Sequence, residues 1–191
     1  MCIRGRSINS FEYGIQIYGS AIRITASQFY KNSENVIDWS PEKTSGNTPK
    51  WRSANVTDVL TSGHNMQLEL YPEIIKRLSF IDRFELGYAY LDIEHNGEKD
   101  DYKNISHYLK HQLVFGTQYR LPFGISRSWY IRYEQPNDQD NRTIFDTQIH
   151  YQIWRVETTL NINNVFDVQY EDVEYVTLPG RWIRFSLRYN L

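Results

Sequence analysis

Residues 183–191 read I-R-F-S-L-R-Y-N-L, so Ile183, Phe185, Leu187, Tyr189 and Leu191 alternate with Arg184, Ser186, Arg188 and Asn190. Period two places the first set on one side of an extended strand and the second on the other. The pattern recurs upstream. Phe11, Tyr13, Ile15 and Ile17 alternate with Glu12, Gly14 and Gln16, and Ile22, Ile24 and Ala26 with Arg23, Thr25 and Ser27. Further runs cover Asn65 to Leu70, Phe84 to Tyr90, Gln112 to Tyr119, Ser128 to Glu134, Phe145 to Tyr151 and Val156 to Asn163, giving nine in all. The expected fold is all-β and antiparallel, with one apolar face.

Composition agrees with a sheet wetted on one side. The 191 residues are 15% aromatic, with 15 Tyr, yet the charged share is 23% and the mean hydropathy is −0.61. No run of about 18 apolar residues exists, and the N-terminus lacks the apolar core of a secretory signal. Because an outer-membrane protein needs such a signal, Met1 is expected not to be the native start, and the chain is read as a fragment. The single Cys2 permits no internal disulfide. A net charge of −2 with scattered basic residues gives no footprint for nucleic acid.

Alternation alone does not say which medium touches the apolar face, because a soluble lipocalin-like barrel turns it inward. The links decide. Short ones at Gly19 to Ser20, Leu121 to Gly124 and Ile153 to Trp154 take turns with long polar ones. The long ones run from Ser40 to Lys50, His95 to Lys103, Gln135 to Asn141 and Asp167 to Gly180. The link from Tyr71 to Ser79 falls on the short side, with Ile74, Ile75 and Leu78 suited to one helical turn. A trimmed edge opposite a looped edge is the layout of an outer-membrane barrel, with short periplasmic and long extracellular connections. The expected class is therefore an antiparallel up-and-down transmembrane β-barrel segment, apolar outside and polar in the lumen, with the C-terminus periplasmic.

Two stretches carry a family resemblance. Ala26 to Trp39, A-S-Q-F-Y-K-N-S-E-N-V-I-D-W, resembles the strand and loop entry of cobalamin-type TonB-dependent receptors. Leu160 to Leu191, with N-V-F-D at 164–167, Tyr170 and P-G-R-W at 179–182, resembles the ending of TonB-dependent receptors; Tyr108 to Tyr119 matches a recurring pattern of theirs. The resemblance implies that residues 1–191 are the last nine strands of a barrel of about 22 strands whose lumen holds a plug. The plug and the energy-coupling box are absent from this chain. Implied partners are outer-membrane lipid, the remaining strands and plug, the TonB complex acting through that plug, and the barrel-assembly machinery. Leu187, Tyr189 and Leu191 would form the C-terminal insertion signal, Leu191 standing where the family usually has Phe. The implied cargo is a scarce nutrient too large for porins, a cobalamin-type corrinoid first and an iron-siderophore or haem second.

His107 and His111 are i and i+4 on an expected strand, about 13 Å apart, and lack a carboxylate partner for a shared metal. His150, on the polar face, is expected to be a lumen-lining hydrogen-bonder. Asp92, Glu94, Asn96 and Gly97 imitate a calcium loop, but its twelfth position is Lys103 where a bidentate Glu is needed. The N-x-S/T triplets at Asn55, Asn104 and Asn141 are incidental in a bacterial outer membrane. There is no phosphate loop, nucleophile elbow or paired-Cys pattern, so neither an enzyme nor a cofactor is expected. Aromatic residues of the long loops, Trp51, Tyr102, Tyr170 and Tyr175, are the expected ligand contacts, since stiff rings hold a large ligand in water. Trp39 joins them, though interfacial girdles use the same residue types. A self-contained structural or adhesive barrel, or a soluble lipocalin-like binding barrel, is the alternative. An odd strand number argues against the first, and lumen-face charges such as Glu69, Glu85, Arg132 and Asp146 argue against the second.

Overall fold

The structure is a computed structural model, and it describes residues 5–42, 50–72, 76–95, 107–173 and 176–190. The strands are β1 (Ser7–Tyr18), β2 (Ile22–Glu42), β3 (Lys50–Leu70), β4 (Ile81–His95), β5 (Leu109–Leu121) and β6 (Ile125–Pro136). They are followed by β7 (Arg142–Ile153), β8 (Val156–Asn163), β9 (Glu171–Val173), β10 (Val176–Thr177) and β11 (Trp182–Tyr189). Nine form one sheet in the order β1-β2-β3-β4-β5-β6-β7-β8-β11, and β9 and β10 make a separate two-stranded ribbon. Each pair in the nine-stranded sheet is antiparallel, as chain neighbours joined by hairpins must be.

Register confirms that the apolar rows share a face. Ile17 pairs with Ile24, Ile24 with Leu68, Leu68 with Leu86, Leu86 with Phe115, Phe115 with Ile131 and Ile131 with Phe145. Across the last strands, Ile149 pairs with Leu160 and Leu160 with Phe185. These rows remain open: Ile15 is 58% exposed, Phe185 67% and Leu113 42%. The shielded side chains are on the other face, where Ile144 and Ser33 are fully buried and Glu134 and Glu69 nearly so. Side chains therefore converge on the polar side, the reverse of a soluble barrel filled with its apolar rows. The lumen-face charges carry partners as well: Arg132 bridges Glu134 and Asp146, and Arg83 bridges Glu69 and Glu85.

Two lumen-facing glycines are placed by close approach. A Cβ on Gly63 would meet the Phe29 ring at 2.8 Å, and one on Gly116 would meet the Tyr130 ring at 2.4 Å. Each ring lies flat over a cross-strand glycine, which keeps bulk against the wall.

Strand length separates two zones. β2 and β3 have 21 residues each, a height of roughly 50 Å at about 3.3 Å per residue and about 40° of tilt, twice the roughly 25 Å apolar band. Their excess lies toward the long-loop end. A bulge breaks the register of β2 between Ser33 and Val36, with Asn35 at a φ of 53°. The sequence reading started the third strand at Asn65, whereas the structure starts it at Lys50. About half of β3 suffices to cross that band, and residues 50–60, the part in excess, show no alternation of apolar and polar side chains. Trp39 is likewise a residue of β2 and not of a loop, because β2 continues to Glu42.

At the short-turn end, Lys76–Leu78 form one 3-10 turn; Ile74 and Ile75, which the sequence reading joined to it, lie outside the described residues. The β5–β6 and β7–β8 turns put Phe123 (φ 67°) and Trp154 (φ 52°) in the left-handed region, a costly conformation for a bulky residue.

Candidate functional site

The polar face carries two hydrogen-bonded clusters, one at each end. Toward the short turns, Glu69 accepts from Arg23 at 3.2 Å, Tyr71 at 2.5 Å and Gln67 at 3.2 Å, with Arg83 at 3.8 Å. Arg83 also donates to the Tyr130 hydroxyl at 3.1 Å. A carboxylate buried this deeply is tolerable only with such a set of donors.

Toward the long loops lies the second cluster. Arg142, first residue of β7, is nearly buried, and its Nε reaches Glu134 on β6 at 2.6 Å. Its Nη2 reaches Asp172 in β9 at 2.6 Å, and its Nη1 donates to the Glu171 carbonyl at 2.8 Å. The guanidinium carbon stands 4.3 Å from the centre of the Tyr170 ring. One side chain thus ties the barrel wall to the ribbon of the β8–β11 connection. Arg132 extends the chain of charges, with Glu134 at 3.1 Å and Asp146 at 3.4 Å. Asp146 in turn accepts from the Asn164 amide at 2.8 Å.

Two adjoining clefts open on this cluster. The first, of about 350 Å³, is lined by His107, Gln112, Glu134, Asp138, Arg142 and Asp172 among others; the second, of about 620 Å³, adds Asp140, Gln169 and Tyr170. His107 Nδ1 meets the Asp138 carboxylate. Burial pushes the Tyr108 phenol above the usual tyrosine range. Both guanidiniums are taken up by carboxylates, so the charge left facing the cleft is negative. The arrangement suits a solute that brings donors or positive charge. Among the described residues it contains no nucleophile paired with a base.

The segments quoted as N-V-F-D and P-G-R-W acquire a physical role. Asn164 is buried and left-handed, and its side chain bonds both the amide and the carbonyl of Val168 at 2.9 and 2.8 Å. Asp167, also left-handed, accepts from the Arg181 amide at 2.7 Å. A Cβ at position 180 would lie 2.1 Å from that same carboxylate, so Gly180 is required for the contact. The motif clasps the two ends of the connection together.

Of the residues singled out from sequence, Tyr170 joins the mouth cluster and Trp39 is half-exposed in β2. Trp51 falls in β3, and its side chain, like Tyr102, Tyr175 and Leu191, lies outside the described residues. Leu187 and Tyr189 are exposed on the apolar face of β11. His107 and His111 do not meet. The first pairs with Asp138, and the second takes a 2.8 Å hydrogen bond with Tyr88. His150 contacts Thr159 at 3.1 Å on the polar face. Arg142 and Glu134, which organise the mouth, were missed. Arg142, Ile144 and Asp146 share one face of a strand, and that parity was the available signal.

A wall one strand thick, apolar and open on one side and polar and ion-paired on the other, defines a transmembrane β-barrel segment. The chain belongs to the TonB-dependent receptor family: the model described as TonB dependent receptor-like, beta-barrel, matches residues 7–165. No curated protein sequence matches. Among solved structures, the copper transporter OprC superposes with a TM-score of 0.78 at 15% identity, over 98% of this chain and 32% of that one. The ferric yersiniabactin uptake receptor FyuA from Yersinia pestis gives 0.71 at 11%, over 96% and 30%. The pyoverdine outer membrane receptor FpvA from Pseudomonas aeruginosa gives 0.71 at 16%, over 99% and 30%. The chain therefore spans about a third of the length of these structures, and at such identities they establish the fold.

Proposed function

We propose that this chain is the C-terminal barrel segment of an outer-membrane active-transport receptor for a metal-bearing nutrient too large for porins. The observation that carries the reading is the Arg142 cluster, a built polar mouth at the looped end of a lumen wall. The N-V-I-D-W stretch at 35–39 supports a corrinoid cargo, and the names of the similar structures, a copper transporter and receptors for ferric yersiniabactin and pyoverdine, support a metal chelate. In this reading the short turns and the C-terminus are periplasmic. The missing strands and plug complete the pocket, and TonB acts through the plug. Leu187, Tyr189 and Leu191 present an apolar stripe to the barrel-assembly machinery, and Tyr170 meets ligand, with Trp51, Tyr102 and Tyr175 completing the aromatic set.

The test is uptake of labelled cyanocobalamin and of ferric siderophores by cells with and without the intact receptor. Receptor-dependent accumulation of one of them, abolished by a protonophore, is the expected result. Equal uptake of every ligand in both strains discards the reading.

A further inference from the structure

Arg127 is a cation on the face that carries the apolar rows. It is the third residue of β6, pairing directly with Tyr119 on β5 and Ile149 on β7, and both belong to the outward rows. Arg127 is exposed, and among the described residues no carboxylate pairs with it. Tyr151, two residues beyond Ile149, pairs with Ile125 and so flanks the guanidinium on the short-turn side. Neither the Tyr119 nor the Tyr151 hydroxyl has a hydrogen-bond partner among the described residues. Just below, at the turn tips, Phe123 is 90% exposed and Trp154 77% exposed. Both rings are held there by left-handed backbone.

An arginine on the lipid side is unfavourable in the acyl region and nearly neutral at its border. Two residues of tilted strand put Arg127 roughly 5 Å above the turn, at head-group depth. Rings at the tips set that depth, since tyrosine and tryptophan settle where one end is apolar and the other wet. What the guanidinium lacks is an anion, and its planar fork matches two oxygens of a phosphodiester. We propose that Tyr119, Arg127 and Tyr151 form a binding site for the phosphate of a glycerophospholipid in the leaflet at the short-turn end. Arg127 supplies the bidentate contact and the two phenols donate from either side. The proposal rests on the orientation given under Proposed function, in which that leaflet is the periplasmic one.

The experiment uses the intact receptor carrying this segment, purified from native membranes in mild detergent and weighed by native mass spectrometry while phosphatidylglycerol is titrated in. An Arg127→Gln variant is expected to bind the first lipid about tenfold more weakly or worse, the factor for losing a charged hydrogen-bonded contact. Arg188→Gln, on the lumen face, serves as control and is expected to match the wild type. Heat-modifiable mobility in SDS gels reports folding of each variant. Unchanged lipid affinity in folded Arg127→Gln overturns the proposal, and so does displacement of the lipid by millimolar inorganic phosphate, which would make the site one for the free ion. Orientation is read separately: in a Cys2→Ser, Phe123→Cys receptor, labelling of intact cells by an impermeant maleimide refutes the periplasmic placement and leaves the lipid titration to judge the site.

Discussion

Replacing Arg142 by Gln tests whether the mouth is organised as described, because its arms differ in burial. The Asp172 arm is short, but that carboxylate is 55% exposed, so screening holds its worth to about 0.2–1 kcal/mol. The Glu134 arm joins side chains only 8% and 4% exposed, and breaking such a pair costs roughly 3–5 kcal/mol. Arg132 still holds the other Glu134 oxygen at 3.1 Å, which lowers the expected loss to about 2–3 kcal/mol. The Glu134 arm lies within the wall, so that loss is read in global unfolding. Opening of the connection gives up instead the Asp172 arm, the hydrogen bond to the Glu171 carbonyl and the Tyr170 ring contact, together about 2–3 kcal/mol, which is roughly 30- to 150-fold in open population against about fivefold at most for Asp172→Asn. Limited chymotrypsin cleavage beside Tyr170, timed by mass spectrometry on the folded receptor in detergent, reads the difference. Equal acceleration in the two variants refutes the reasoning, because the exposed Asp172 arm would then account for all that Arg142 holds of the connection. A double-mutant cycle with Glu134→Gln isolates the pairwise energy.

Further outcomes follow from the same geometry. Gly180→Ala drives a methyl group onto the Asp167 carboxylate and is expected to cost about 1–3 kcal/mol in urea unfolding in detergent; Asp167→Ala, which removes the acceptor of the Arg181 amide, should cost about 1–2 kcal/mol, and two neutral variants would deny the clasp. Gly116→Ala places its Cβ inside the Tyr130 ring and is expected to swing that ring out, detectable as altered tyrosine fluorescence and lost stability. Ile131→Lys, on the outward face, should cost about 2–4 kcal/mol if it sits near mid-membrane, whereas Arg132→Lys next to it should retain most of the fold, and the reverse order would invert the assignment of faces.

Much of the fold was legible because amphipathic strands announce themselves. β8 was read with its bounds intact, since every residue from Val156 to Asn163 is sorted by an apolar medium on one side and water on the other. Where that sorting stops, so does the signal. The upper half of β3 carries Trp51, Val56 and Leu60 with no period. The ribbon β9–β10 is too short to show one. The mouth was read in part: Tyr170 stood out as a loop aromatic, whereas Arg142 looked like one scattered charge among many. Its importance comes from a contact 30 residues away in sequence, which no local spacing encodes. The N-V-F-D and P-G-R-W words were visible as words, but their connection through Asp167 and Gly180 needed coordinates.

That connection bears on how the terminal hairpin is made. Bringing residues 167 and 181 together shuts an 18-residue excursion between β8 and β11 (164–181) at its base, so the two strands start in register from a point fixed next to their first pair, Asn163 with Trp182. The entropy of searching for the partner strand is settled locally, before any distant edge is available. The hairpin can then meet β7 as a ready-zipped unit, and β11 becomes one of the two open margins of the nine-stranded sheet.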